Sequence, residues 1–440
     1  MAAALTSRDA APTQGMGRGT FLRRAGLATA GVALGEGLLP GMVRTQFASA
    51  GGATLNISYF SNNINNDGLI AVFNAFGKKN GLTVAFNPSP VNFGDVVSKF
   101  TTYLSSGYTG LDVYWIDEEM ASTFSAAGWL EPLENHIAKD NLSAIGPGPM
   151  KLSTFNGHVT RVPGMAGGVL FYYRKDLFDK AGLQPPRTWA ELVTIGKRFT
   201  KGGAYGLGFA GKTGNTQLWI EGCYWMGQAG ADPYHLRTPQ ARASLQFIWD
   251  MLNTHKIMHP NTVTADYSLL QTEFLEGQLA MWPVWANFYA TFISDPGFKK
   301  KGFEVSVAFP PKGPLNGTTL SDSWGWSVSK YSKNKELAFK FIDYITSKEA
   351  ETAISLAERT DPANLTALAS MPVQQADKDA QFVSAYNQRH LFRPRPITPQ
   401  VQRLSDAFEA PINQYLNKQL SLSAAIDQAQ TKIDQINQNS

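Results

Sequence analysis

The sequence has almost no cysteine and no block of basic side chains. The single cysteine, Cys223, excludes a disulfide within the chain. Residues 1–50 carry five arginines and only two acidic side chains, so the remainder is close to neutral. Without a basic surplus no release of counterions drives binding to a phosphate backbone. We therefore expect no nucleic-acid partner.

Residues 1–50 have the pattern of an export signal. Basic residues between 18 and 24 precede small apolar residues from Ala25 to Leu39, and Ala-Ser-Ala follows at 48–50. The apolar run is interrupted by Glu36 and is shorter than the roughly 20 residues of a membrane span. We predict cleavage after Ala50 and, because no cysteine stands there, a periplasmic protein without a lipid anchor. Residues 17–23 resemble a twin-arginine signal, but Gly19 replaces the second arginine, so the export route stays open.

The remaining chain predicts an α/β fold with more than one core. About 390 residues exceed an ordinary single domain and suggest two. Hydrophobic periodicity predicts strands at 55–60, 83–86, 111–116, 168–173 and 305–309, and helices at 69–76, 96–104, 175–181, 188–200, 242–252, 269–275, 336–346, 404–416 and 424–436. The alternation from 55 to 116 predicts a parallel sheet, and ligands bind beyond the carboxyl ends of such strands. Asn62, Asn63 and Asp117 fall there.

Several motifs recur in a specific order along the chain. They are Arg-Val-Pro at 161–163, Val-Leu-Phe-Tyr-Tyr-Arg-Lys-Asp-Leu-Phe at 169–178, Thr-Trp-Ala-Glu-Leu at 188–192, Glu-Gly-Gln-Leu-Ala-Met at 276–281 and Arg-Pro-Arg-Pro at 393–396. With them the chain resembles the family 1 extracellular solute-binding proteins of carbohydrate ABC importers, and looks closest to the trehalose/maltose-binding branch.

The resemblance implies a two-lobed periplasmic-binding-protein fold of type II, similar to maltose-binding protein. Three segments would cross between the lobes, near Pro163 to Gly168, Val305 to Pro310 and Glu358 to Pro362. Lobe one would then comprise 51–162 plus 311–357, and lobe two 168–304 plus 363–440. Such lobes close on a ligand by a hinge motion.

The resemblance also implies a set of ligand-binding residues. Sugars offer flat C–H faces ringed by hydroxyls, which suit aromatic rings, carboxylates and arginine. Trp285 and Trp324 take the positions of the family's stacking tryptophans, with Asp117 and Asn63 as polar partners from lobe one and Arg395 from lobe two. The alternatives are that both tryptophans pack in the core and that Asp117 only caps a helix.

One departure from the trehalose/maltose pattern leaves the solute open. Met165 and Gly167 stand where the family has an aromatic residue and an acid. Losing that carboxylate removes about 2 to 3 kcal/mol of charge-assisted hydrogen bonding to a disaccharide. Trp219 and Glu221, with Trp225, are further candidates for the far side of the cleft.

The predicted activity is capture without chemistry or cofactor, by a monomer that delivers a di- or short oligosaccharide to a membrane permease. A glycoside hydrolase with Asp117 and Glu118 or Glu119 as paired carboxylates is the enzymatic alternative. Consecutive residues at a strand end are expected to point apart, which disfavours it. A binding protein for another solute, such as a polyamine, iron or a sugar alcohol, is the third possibility.

Two further motifs do not have the context that their chemistry requires. The sequence of residues 206–213 matches the consensus of a phosphate-binding loop, but no buried strand precedes these residues and no helix follows them immediately. The glycines are better explained by tight packing of a strand. His255 and His259 have the spacing of a zinc helix, but Lys256 takes the place of the catalytic glutamate and Pro260 ends the helix. We expect no metal.

Overall fold

The computed structural model describes residues 52–60, 66–90 and 93–438. The predicted export signal and the candidate residues Asn62 and Asn63 lie outside these ranges. All described residues fall within one unit, residues 44–440.

Strands and helices alternate along most of the chain. The strands are β1 Thr54–Phe60, β2 Thr83–Ser89, β3 Val113–Asp117, β4 Thr154–Phe155, β5 His158–Val159, β6 Val162–Arg174, β7 Tyr205–Leu207, β8 Leu279–Trp285, β9 Val305–Ala308, β10 Thr319–Val328 and β11 Phe392–Arg393.

The helices up to residue 300 are α1 Asp67–Asn80, α2 Phe93–Ser105, α3 Glu118–Ala126, α4 Lys139–Ser143, α5 Pro147–Lys151, α6 Lys175–Ala181, α7 Trp189–Phe199, α8 Gln217–Gln228, α9 Pro239–Asn253, α10 Tyr267–Leu275, α11 Phe288–Ser294 and α12 Pro296–Lys300, with a 3₁₀ turn at Pro260–Thr264. Those that follow are α13 Lys335–Ile345, α14 Lys348–Glu358, α15 Leu365–Leu368, α16 Met371–Ala376, α17 Lys378–Gln388, α18 Val401–Leu416 and α19 Leu422–Gln438.

Local sequence signals explain many of these boundaries. The Thr188 hydroxyl accepts a hydrogen bond from the amide of Glu191 at 3.2 Å and so caps α7, as the sequence predicts. The Glu191 carboxylate accepts from the amide of Arg187 at 2.7 Å. Gly182, with a φ of 64°, ends α6 in the left-handed conformation that favours glycine.

One continuous sheet path runs β2-β1-β3-β10-β6-β8-β7. The strands β1, β2 and β3 are parallel, which confirms the parallel sheet predicted from the alternation at 55–116. β10 is antiparallel to β3 on one side and to β6 on the other. β6 then pairs with β8 and β9 through its second half. The long strands β6 and β10 therefore connect two groups of shorter strands.

The two largest of four groups of core residues mark two lobes. One comes from residues 55–162 and 326–354 and includes Leu55, Phe73, Val113 and Phe341. The other comes from residues 169–281, 320 and 401–433 and includes Phe171, Trp225 and Phe408. The chain changes lobe between Val162 and Val169, close to the first predicted crossing.

The second predicted crossing, near Val305 to Pro310, needs correction. The chain stays with lobe two there, because the Lys312 amide donates to the Arg187 carbonyl at 2.8 Å and the Leu315 amide to the Gln228 carbonyl at 3.0 Å. Leu320 belongs to the core of lobe two and Trp326 to that of lobe one. The change of lobe thus falls inside β10, and the assignment of residues 311–320 to lobe one was wrong.

Gly206 in β7 explains part of the glycine-rich run at 206–213. A Cβ atom on Gly206 would lie 2.4 Å from the Cα atom of Gly196 in α7, so the helix and the strand approach too closely for a side chain. No helix follows this run until α8 begins at Gln217. The geometry favours close packing as the reason for the glycine.

We expect Gly206→Ala to lower the free energy of unfolding by about 1–3 kcal/mol, because overpacking forces the backbone to move. Gly148→Ala is the matched control, since a Cβ atom there would meet no heavy atom within 4 Å. Urea denaturation followed by circular dichroism measures both. Equal midpoints for the two variants would contradict the packing argument.

Candidate functional site

Three consecutive acidic residues lie where β3 ends and α3 begins. The Asp117 carboxylate accepts a hydrogen bond from the Met120 amide at 2.9 Å and caps α3. Glu118 and Glu119 form the first turn of that helix, and all three side chains are almost fully buried. The helix cap, which was the alternative to a binding role for Asp117, is therefore present, but it occupies only one carboxylate oxygen.

Arg395, which follows β11, lies against these acids from the other lobe. Its Nη1 donates to Glu119 at 2.5 Å, and its Nη2 donates to Glu118 and, at 3.2 Å, to Asp322 of β10. The second Asp117 oxygen is 3.8 Å from Nη2. The arginine side chain is only 3% exposed. We refer to these four acids with Arg395 as the interlobe cluster.

The expectation that consecutive carboxylates point apart was wrong for this segment. Asp117 ends a strand, but Glu118 already has helical geometry, so the chain turns and both glutamates reach the same guanidinium. The paired carboxylates of the enzymatic alternative are thus close in space, although both are held by an arginine.

Arg161 supports the cluster from within lobe one. Its side chain is fully buried, and Nη2 donates to the Ser323 hydroxyl at 2.8 Å and to the Ser153 hydroxyl at 2.9 Å. The Ser323 hydroxyl in turn donates to Glu118 at 2.9 Å. Nη1 donates to the Ser323 carbonyl at 2.6 Å. Arg161 therefore fixes β10 beside α3.

Burial of so many acids perturbs their protonation. Desolvation, with repulsion from Glu119, raises the pKa of Asp117 to about 7 against the attraction of Arg395. Desolvation, with repulsion from Glu118, likewise raises the pKa of Asp322 to about 7. Burial also raises the pKa of Glu119. Four carboxyl groups face only two guanidiniums, so the environment favours proton retention.

The two candidate stacking tryptophans lie on either side of β6. Trp324 in β10 pairs with Met165, and Trp285 at the end of β8 pairs with Val169. Four residues of extended strand correspond to about 13 Å. Both rings are partly exposed, and the Arg395 guanidinium lies 5.5 Å from the centroid of Trp285. Trp324 pairs with Asp117 across β3 and β10.

The junction of the lobes is therefore surrounded by Met165, Arg395 and the two tryptophans. Trp219 and Glu221 lie elsewhere, inside lobe two. Trp219 is fully buried in the core of lobe two, and its ring centroid lies 6.1 Å from that of Tyr234. The Glu221 carboxylate accepts from the Ala210 amide at 3.2 Å, and burial raises its pKa to about 8. Neither side chain has a hydrogen bond to the interlobe cluster among the described residues.

The described residues contain neither a candidate metal site nor a membrane-spanning helix. No group of three or more histidine, cysteine, aspartate or glutamate side chains in them is arranged to hold a metal ion. His255 lies after α9 has ended at Asn253, and His259 caps the 3₁₀ turn. No helix in the described ranges is long and apolar enough to cross a membrane.

A groove of about 1040 Å³ lies on lobe two, away from the interlobe cluster. Its lining comes from β6, α7, β9, α17 and the segments that precede α7 and follow β9, and it includes Tyr173, Ile195, Phe309 and Phe382. The groove shares no residue with the cluster and is mainly apolar.

The chain is similar to a family of known proteins. Residues 62–352 match the model of the bacterial extracellular solute-binding proteins, and the chain belongs to this family. The mannitol-binding protein of Pseudomonas aeruginosa is 26% identical over 264 residues, which is 57% of this chain and 59% of that protein. The maltotriose-binding protein of Pyrococcus abyssi is 25% identical over 251 residues, 54% of this chain and 51% of that protein.

The fold is shared with solved structures of two-lobed solute-binding proteins. MalE3 of T. maritima with bound maltose superposes with a TM-score of 0.76 at 22% identity, over 88% of this chain and all of that chain. The two-lobed fold similar to maltose-binding protein, which the family resemblance implies, is therefore confirmed.

Proposed function

We propose that this chain is the substrate-binding subunit of an ABC importer and captures an uncharged sugar or sugar alcohol between its lobes. The observation that carries the proposal is the position of two partly exposed tryptophans beside a cluster of carboxylates and arginine where the lobes meet. Aromatic rings stack on the C–H faces of a polyol, and charged groups hydrogen-bond its hydroxyls. Family membership and a relative that binds mannitol support this solute class.

The proposed site comprises Asp117, Met165, Trp285, Trp324 and Arg395, with Glu119 and Asp322 added from the structure. A ligand-binding role for Asn62 and Asn63 stays a prediction. For Trp219 and Glu221 we propose structural roles in lobe two. We further propose that the protein is a periplasmic monomer whose export signal is cleaved after Ala50. It performs no catalysis and delivers its solute to a membrane permease. A trehalose/maltose preference is one case within the proposed solute class.

Tryptophan fluorescence of the purified chain, titrated with sugars and sugar alcohols, tests the proposal. Mannitol, ribitol, maltose, trehalose and maltotriose form the panel, with ATP and spermidine as controls. Saturable micromolar binding of one polyol supports the solute class. A response to spermidine alone would show that the solute is a polyamine and not a polyol. Steady release of reducing sugar from an oligosaccharide would favour the enzymatic alternative.

We expect Trp285→Ala and Trp324→Ala each to weaken binding of that solute by about 2 kcal/mol, or about 30-fold, because anchoring aromatic side chains contribute this much when truncated. Calorimetric titration measures the change. Tyr108→Ala is the control, since that ring is 43% exposed and lies outside the site. Unchanged affinity in both tryptophan variants would remove the stacking role.

A further inference from the structure

Gly167 leaves an open position on the face of β6 that carries the proposed site. It is paired with Asp322 across β6 and β10, and the pair two residues away is Met165 with Trp324. Directly opposed residues of antiparallel strands project from the same face of the sheet. A side chain at position 167 would therefore project beside the site residues Asp322 and Trp324, and glycine provides none.

The carboxyl group of Asp361 lies against this open position. A Cβ atom at Gly167 would be 3.4 Å from Oδ2 of Asp361 and 3.4 Å from the Cβ atom of Ala286. The Ala166 amide donates to the Asp361 carbonyl at 3.1 Å and so holds the segment between α14 and α15 against β6. Because β10 occupies one edge of β6 here, Asp361 approaches from the other edge. Asp322 and Asp361 thus flank Gly167.

The surroundings of the Asp361 carboxyl group do not favour its burial. The residue is only 6% exposed, and its Oδ1 atom has no hydrogen-bond partner in the described part of the chain. The charged neighbour that acts on it, Asp377, is another acid and repels it. A buried carboxyl group without a partner lowers the stability of the fold. A role in folding therefore does not explain why an acid stands at this position.

Two other acids lie near Asp361, but they do not form a metal site with it. Asp377 accepts a hydrogen bond from the amide of Asp379 at 2.9 Å and so caps α17. Asp379 is 1% exposed, and neither of its carboxylate oxygens has a partner among the described residues. No three such side chains in the described ranges are arranged to hold a metal ion. Among the three atoms nearest to a Cβ at Gly167, the one carboxylate oxygen is that of Asp361.

We propose that Asp361 is a further ligand-binding residue, whose carboxylate accepts a hydrogen bond from a hydroxyl group of the solute beside Gly167. The inference rests on the proposed function and adds an acceptor to the proposed site. Asp322 already accepts from Arg395 at 3.2 Å, whereas Oδ1 of Asp361 accepts from no described donor. Glycine is needed at position 167 because a side chain there would cover the Asp361 carboxylate.

Asp361→Asn keeps the size of the side chain and removes its charge. We expect it to weaken solute binding by about tenfold or more, because a hydrogen bond to a charged group is stronger than one to a neutral group. The melting temperature should equal or exceed that of the wild type, because the variant removes a buried carboxyl group without a partner. Isothermal titration measures the affinity for the polyol that the wild-type chain binds, with mannitol and maltose as the first probes.

Gly167→Ala tests the same contact without a change of charge. The added Cβ atom would meet its nearest neighbours at 3.4 Å, which is an ordinary contact distance, so this variant should fold. Its methyl group would cover the Asp361 carboxylate and should weaken binding by a similar factor. Asp379→Asn is the matched control, since it also removes a buried carboxyl group without partners but is not next to Gly167. It should leave the affinity unchanged.

The outcomes separate the inference from the proposed function. Weaker binding by Asp361→Asn at an unchanged or raised melting temperature supports the role of Asp361. Wild-type affinity in both Asp361→Asn and Gly167→Ala overturns that role and leaves the proposed function intact. An affinity loss that follows a fall in the melting temperature of Asp361→Asn, with no effect of Gly167→Ala, overturns it too.

If the wild-type chain binds no polyol, the proposed function fails and the inference fails with it. Because Gly167→Ala keeps Asp361 in place, the test does not depend on whether Asp361→Asn folds.

Discussion

Arg395→Ala is expected to weaken solute binding by about 100-fold or more while the protein stays folded. In the closed form the variant leaves four buried carboxyl groups without their shared guanidinium, and loss of one partner from a buried ion pair costs about 3–5 kcal/mol. When the lobes part, we expect water to reach Glu119 and Asp322, which are the most exposed of the four. The cost therefore falls on closure and not on the folding of either lobe.

Two measurements on the same variant separate these effects. Calorimetric titration should show the loss of affinity, and small-angle scattering should show that solute no longer reduces the radius of gyration. The melting temperature should stay within a few degrees of the wild type. Arg403→Ala removes an exposed arginine from α18 and serves as the control. An Arg395→Ala affinity within threefold of the wild type would disprove the role of the guanidinium in closure.

Arg395→Lys distinguishes charge from geometry at the same position. A lysine keeps one positive charge but offers a single ammonium in place of the planar fork that reaches Glu118, Glu119 and Asp322. An intermediate affinity would show that both the charge and the fork contribute.

Local sequence patterns predicted the parallel strands β1 to β3 and nine of the nineteen helices in the described residues, because each of these has a continuous apolar face or run. β10 was missed because it has no such face or run. Its residues, Thr-Leu-Ser-Asp-Ser-Trp-Gly-Trp-Ser-Val, include serine, aspartate and glycine, which are unfavourable in strands. The strand forms because β3 and β6 pair with it on both sides, and only tertiary structure supplies those partners.

The candidate site was predictable where the family resemblance assigned a residue. Asp117, Trp285, Trp324 and Arg395 were assigned in this way, and the structure places Asp117 and Trp324 opposite each other and Arg395 beside Asp117 and Trp285. The roles of Glu119, Asp322 and Arg161 were not predictable, because each depends on contacts between residues more than 70 positions apart or on a strand that was missed. Three consecutive acids at a strand end were the one available signal.

The buried position of Trp219 shows the limit of the same reasoning. Its place near Glu221 and Trp225 suggested a cleft wall, but α8 buries almost all of its side chains against lobe two. A helix that is buried on nearly every side belongs to a core. The burial of α8 on both faces decides the role of Trp219. The number of aromatic residues in the segment does not.

Arg161→Met is expected to reduce folding stability by about 3–5 kcal/mol, in contrast to Arg395→Ala. The hydrogen-bond partners of Arg161 lie within lobe one or β10 and are Ser153, Ile116 and Ser323. The Ser323 hydroxyl donates a further hydrogen bond to Glu118. We therefore expect these contacts to persist when the lobes open. Methionine removes a positive charge from a region that already has an excess of carboxylates, and no water reaches Glu118 to replace it.

Urea denaturation of Arg161→Met should therefore show a lower midpoint both with and without solute, whereas Arg395→Ala should lose only the shift that solute confers. Arg198→Met, an exposed position in α7, controls for the loss of one charge. Arg161→Lys should recover part of the stability, because it keeps the charge and loses the forked hydrogen bonds to Ser153 and Ser323. If Arg161→Met unfolds at the wild-type midpoint and only its affinity for the solute falls, then Arg161 acts in closure together with Arg395. The assignment of Arg161 to folding stability and of Arg395 to closure would then be wrong.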